Sequence, residues 1–108
     1  MSRHTMMIAR WQIEARFGHK QTVIDMLERW NEEIGSQVGW TPDKVRLLTG
    51  AVGALESTIQ SDVEIEDLAD LGAAWKKLGT IEAHKQWSKD IEPYIVSGTP
   101  HWQIFRVL

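Results

Sequence analysis

His84 stands in the stretch AAWKKLGTIEAHKQW, residues 73–87, between Trp75 and Trp87. Counted at 100° per residue, Ile81, His84, Trp87, Ser88, Ile91 and Ile95 share one broad helical sector, so this histidine lies on or beside an apolar stripe. An imidazole titrates near neutral pH, and one walled by indoles could take a proton from an aromatic substrate. The substrate's own carbanion would then meet oxygen with no cofactor. His84 is therefore the candidate catalytic residue, with Trp75 and Trp87 as candidate ligand-binding walls. The plainer role for the same residues is packing, with His84 a hydrogen-bonded wall residue and Trp75 continuing the Leu68, Leu71, Leu78 stripe.

A second group is polar. Residues 6–15 alternate, with Met7, Ala9, Trp11 and Ile13 on one side and Ile8, Arg10, Gln12 and Glu14 on the other. In a strand read over residues 54–60, Leu55, Ser57 and Ile59 share one side and Glu56, Thr58 and Gln60 the other. If these strands are neighbours, Arg10, Gln12, Glu56 and Thr58 form a polar face and are further candidate ligand-binding residues. A buried carboxylate needs a partner, which makes Arg10 the expected counter-charge of Glu56 or Glu14. These groups could equally serve only one another.

The elements that must position both groups follow from periodicity. After the first strand, Val23, Met26, Leu27, Trp30 and Ile34 mark an amphipathic helix ending near Gly35. The loop SQVGWTPD follows, and its proline disfavours helix at Thr41. Gly50 and Gly53 bracket the turn of a hairpin between residues 44–49 and 54–60. Leu68, Leu71, Trp75 and Leu78 begin a second helix that Gly79-Thr80 interrupts, with Thr80 placed to cap its continuation. HWQIFRVL closes as a strand.

The order is βαββαβ: an α+β, ferredoxin-like arrangement in which a four-stranded antiparallel sheet carries two helices on one face. One domain over residues 1–108 is expected. The other face of the sheet is bare, and a second copy of the chain is the natural cover.

The remaining composition narrows the chemistry. Acidic residues outnumber basic ones 15 to 12 among 108, giving a net charge of −3, so a nucleic-acid partner is not expected. Cysteine is absent, which removes disulfides, thiolate nucleophiles and cysteine metal sites. The histidines at 4, 19, 84 and 101 lack metal-ligand spacing, and no Gly-x-Ser-x-Gly is present, so neither metal nor nucleophilic catalysis is expected. No apolar run approaches a membrane span, and the N-terminus lacks the apolar block of a signal peptide, so a cytoplasmic protein without membrane attachment is expected. Six tryptophans are many for this length and suit a flat apolar or aromatic ligand. Trp11, Trp30 and Trp75 fit core periodicities; Trp40, Trp87 and Trp102 remain for walls or interfaces, and Tyr94 for a cavity mouth.

MIARWQIEARFG running into HKQTVIDML, the hairpin, LADLGAAWKKLGTIEAHKQW and HWQIFRVL resemble the dimeric α/β-barrel superfamily along nearly the whole chain. That group includes NIPSNAP-like proteins, antibiotic-biosynthesis monooxygenases and haem-degrading monooxygenases. The resemblance implies a homodimer whose sheets enclose a barrel, with Arg10 and its neighbours facing the interior. It makes small-molecule binding the leading expectation, beside cofactor-independent oxygenation of an aromatic or quinol-like compound and a purely structural module. Haem-degrading relatives combine a first-strand asparagine with a tryptophan and a ligating histidine. Trp75 and His84 resemble that pair, but the first strand here offers Arg10 and Gln12 instead of asparagine. No cofactor is therefore expected.

Overall fold

The structure, a computed structural model, describes residues 6–108, so His4 lies outside the described residues. Seven main elements follow in order: β1 (Met7–Glu14), α1 (Lys20–Glu33), β2 (Val45–Thr49), β3 (Thr58–Ile65), α2 (Leu68–Leu78), α3 (Glu82–Ile91) and β4 (His101–Arg106). The strands form one antiparallel sheet in the order β2-β3-β1-β4, which puts the first and third strands at its centre, as expected from the sequence. Short 3-10 turns at Gly35–Val38 and Pro42–Lys44 carry the chain from α1 to β2. Between them Gly39 takes a φ of 84°, a left-handed conformation that a side chain would strain, and this bend places Trp40 inside.

Alternation in β1 buries Ala9 and Ile13 completely under the helices. Opposite them on β3 stand Val63 and Ile59, with Trp11 opposite Ser61. The third strand thus begins at Thr58 and includes SDVEI, a stretch the sequence reading placed in a connection. The hairpin loop is correspondingly longer. A Cβ at Gly50 would stand 1.8 Å from the Leu55 carbonyl oxygen, so glycine is required where the loop closes on itself. Thr49 Oγ1 then donates to the carbonyls of Glu56 and Thr58 at 3.0 and 2.9 Å. The charges in SDVEI mislead because Asp62 and Glu64 occupy the open face while Val63 and Ile65 are buried.

The second helix breaks where Gly79-Thr80 suggested, although Thr80 does not cap α3. Its hydroxyl donates backwards to the Lys77 carbonyl at 2.7 Å, and Ile81 occupies the cap position. Asp67 caps α2 by accepting from the Asp70 amide at 2.8 Å. Under the helices the apolar residues fall into two clusters. One centres on Ile13, Val23, Leu27, Ile59 and Ile91, the other on Ala9, Trp30, Trp40, Val63, Leu71 and Leu78. Trp87 packs against both. Among the described residues no helix is long and apolar enough to cross a membrane.

Candidate functional site

A cavity of about 540 Å³ lies between sheet and helices, and all six tryptophans line it. Trp11 and Trp102 rise from opposed positions on β1 and β4. Trp30 comes from α1, Trp40 from the loop after it, Trp75 from α2 and Trp87 from α3. Their rings form one linked series. Trp11 meets Trp87 at 6.1 Å between centroids, Trp87 meets Trp30 at 6.1 Å, and Trp30 meets Trp40 at 5.8 Å. Trp40 then meets Trp102 at 6.4 Å, and Trp102 meets Trp75 at 5.3 Å. These separations fall in the favourable range for tilted and edge-to-face aromatic pairs. Small residues leave the space between the rings: Ser61 on the sheet, Gly79 at the helix break and Ser88 on α3 all border it.

Burial grades the cavity from floor to mouth. Trp30 and Trp40 are buried, whereas Trp75 is 42 % exposed and Trp102 37 %. The edge-to-face pair of Trp75 and Trp102 thus forms the rim. Trp11 and Trp30 pack with the core, as their periodicity suggested, and also border the open volume beside Trp75. Tyr94 does not line the cavity; its ring packs against His19 at 5.3 Å.

His84 borders the same space, and its geometry is specific. Trp30 Nε1–H donates to His84 Nδ1 at 3.1 Å. An indole nitrogen can only donate, so Nδ1 is the acceptor and the neutral ring carries its proton on Nε2. Burial lowers the pKa of His84 from its ordinary value, favouring this neutral form. Proton abstraction would use the one lone pair that Trp30 already occupies. Ligation of haem iron through Nε2 would put the proton on Nδ1, facing the indole N–H, so the present residues do not fit a haem ligand.

Other polar groups at the cavity divide into used and unused. Trp87 Nε1 donates to the Met26 carbonyl at 3.0 Å, and Ser88 Oγ to the His84 carbonyl at 3.0 Å. His84 Nε2, Asn31, Ser61 and the indoles of Trp11, Trp40, Trp75 and Trp102 have no protein hydrogen-bond partner among the described residues. Among the described residues no Asp, Glu, Lys or Arg lines the cavity.

The polar candidates lie elsewhere. Arg10 pairs with Asp62 through two hydrogen bonds of 2.8 and 2.9 Å, which corrects the expected pairing with Glu56 or Glu14. The partner was missed because the third strand extends beyond the residues assigned to it. Gln60 donates to Gln12 at 2.6 Å, while Ser57 and Thr58 donate to Glu14 at 2.8 and 2.6 Å. Arg10 also lies 5.1 Å over the Phe105 ring. These residues share the open face of the sheet, away from the helices. Glu56 is in the hairpin loop, exposed, its carboxylate 3.9 Å from the Lys20 ammonium. The structure therefore brings His84, Trp75 and Trp87 together, places Arg10, Gln12 and Thr58 on the opposite face, and leaves Glu56 with neither group.

Trp40 and Trp102, left by the sequence for walls or interfaces, do line the cavity; Trp11, Trp30, Asn31 and Ser61 complete it and were not singled out as its walls from sequence. The available signal was the phase of Trp11, which shares the helix-facing side of β1 with Ala9 and Ile13.

No protein-family model and no curated protein matches the chain. Solved structures do. A NIPSNAP family protein from Agrobacterium tumefaciens superposes with a TM-score of 0.76 at 14 % identity, covering 100 % of this chain and 90 % of that one. A candidate antibiotic biosynthesis monooxygenase from Bordetella bronchiseptica gives 0.71 at 11 % identity, covering 97 % and 99 %. A dimeric protein of unknown function and ferredoxin-like fold from Bacteroides fragilis gives 0.64 at 14 % identity, covering 94 % and 96 %. At these identities the likeness is one of fold, and the chain has the ferredoxin-like fold that these proteins share.

Proposed function

We propose that this chain is a small-molecule-binding protein of the dimeric α/β-barrel type, whose ligand is flat, uncharged and largely apolar. The observation that carries the reading is the convergence of all six tryptophans on one cavity that, among the described residues, no charged side chain lines. Aromatic walls with few polar groups suit such a ligand, and a volume near 540 Å³ falls within the usual range of about 300–1,000 Å³ for small-molecule sites. Catalysis through His84 as a base receives less support, because its lone pair is engaged by Trp30. The absence of cysteine is compatible with a reducing cytoplasm.

Homodimerisation would use the open face of the sheet. Leu48 and Phe105 are exposed there, while its Arg10–Asp62, Gln12–Gln60 and Glu14–Thr58 pairs are satisfied within the protomer. A face whose polar groups are already paired loses less when water is removed. The dimeric neighbour of the same fold supports this arrangement.

Native mass spectrometry of protein purified from its own host tests both parts, with the mass read again after denaturation. A dimer that releases a small uncharged aromatic molecule is the expected result. A monomer contradicts the assembly, and a retained charged or aliphatic ligand contradicts the binding reading.

A further inference from the structure

The cavity's unused polar groups are unequal in kind. The Nε2–H of neutral His84 and the indole N–H groups of Trp11, Trp40, Trp75 and Trp102 can donate but cannot accept in the plane of their rings. Against these five donor groups stand three side chains whose oxygens can still accept, Asn31, Ser61 and Ser88, the last donating its own proton to the His84 carbonyl. A buried donor left unmatched costs about 1–3 kcal/mol, so occupancy by a purely apolar molecule would be penalised at each donor it shields from water. Among the described residues no Lys or Arg lines the cavity to balance a full negative charge.

We infer that Trp30 fixes His84 as a hydrogen-bond donor and that the cavity selects neutral molecules bearing a carbonyl-type acceptor oxygen for its Nε2–H. The inference deepens the binding function proposed above and rests on it. Trp30 is the positioning residue: its buried indole, 9 % exposed, directs N–H onto Nδ1 at 3.1 Å and thereby determines which imidazole nitrogen carries the proton. Asn31, one residue further along α1, offers both donor and acceptor and tolerates either polarity. His84 is thus the group through which an acceptor is required.

The matched compounds 1,4-naphthoquinone and naphthalene test this, because they share size and flatness while only the first has acceptor oxygens. Naphthalene is the more apolar, so burial alone would favour it. The chain has no cysteine to form a thiol adduct with the quinone. Expected are an Nε2–H tautomer for His84 in long-range proton–nitrogen NMR above neutral pH, and quinone affinity above that of naphthalene by up to about tenfold, the ceiling of one net hydrogen bond, against the preference that burial alone would give. His84→Phe should lower that preference severalfold, leaving only what the indole N–H groups supply. Trp30→Phe should reduce it and mix the tautomers while His84 remains, which a merely structural tryptophan would not do. An Nδ1–H tautomer in the native protein, or equal affinity for the two compounds, overturns the inference while cavity binding stands. If neither compound binds, the binding reading fails and the inference falls with it.

Discussion

The two faces of this sheet treat polar side chains in opposite ways. On the open face Arg10 meets Asp62, Gln12 meets Gln60 and Glu14 meets Thr58, so the polar groups of the central strands are matched across β1 and β3. On the helix-covered face the polar groups are few, and several that border the cavity have no protein partner. Paired polar groups stabilise a surface and prepare it to be covered; unpaired ones beside an apolar volume are suited to a ligand. The difference teaches that the polar cluster most visible in the sequence is paired within the protomer, while the unpaired polar groups border the quieter aromatic cavity.

Trp30 offers the severest test of that contrast. Trp30→Ala should lower unfolding free energy by about 3–5 kcal/mol in urea titrations, as expected for a buried large aromatic, and should abolish binding of 1,4-naphthoquinone. Asp62→Ala comes next. It leaves Arg10 without its carboxylate, though Arg10 keeps 28 % of its side-chain exposure. The expected stability loss is about 1–3 kcal/mol, and quinone affinity should be unchanged because the substitution is on the other face. If Asp62→Ala weakened binding as much as a rim substitution does, the assignment of separate roles to the two faces would be wrong. Trp75→Ala should give the reverse pattern: at the half-exposed rim, stability should change by no more than about 1 kcal/mol, whereas affinity should fall roughly tenfold.

The smallest expected effect is one of pH. Burial lowers the His84 pKa, with no charged neighbour contributing, and among the described residues no charged side chain lines the cavity it borders. On its own helix, Lys85 and Glu82 pair with each other at 3.7 Å. Above the ordinary histidine value of 6.5 both folded and unfolded states are neutral, and stability is at its full level. As pH falls below that value, the unfolded chain takes the proton first and stability declines until the lower folded pKa is passed. Protonation of the folded ring, at the lower end of that range, keeps Nε2–H but sets Nδ1–H against the Trp30 N–H and breaks the bond that positions the imidazole, so quinone affinity should fall only as pH passes the folded pKa. Urea midpoints and titrations at successive pH values check both trends, and His84→Phe should flatten its share of each.

Much of the scaffold was legible in the sequence. Period-two alternation identified β1 and its covered face, helical spacing identified α1, and Gly79-Thr80 marked the break between α2 and α3. The start of β3 was not, because Ala54 to Ser57 carry residues compatible with a strand while Gly50 makes the loop close through the Leu55 carbonyl. That shift of register concealed Asp62 and assigned Arg10 the wrong partner. Of the site, His84, Trp75 and Trp87 were evident from one stretch. Trp40 and Trp102 were left open as walls or interfaces, and Trp11 and Trp30 were assigned to packing, because periodicity reports which side of an element a residue occupies and says nothing of whether that side meets another side chain or a void. The Trp30–His84 bond joins residues 54 positions apart, beyond any local pattern.

The most direct measurement of the central claim is a titration of intrinsic tryptophan emission with 1,4-naphthoquinone. Because all six tryptophans line one cavity, occupancy by a single molecule per protomer should quench most of the emission along a saturable curve. Quenching that rises linearly without saturation, or that saturates while most of the emission persists, would contradict a common tryptophan-lined binding site.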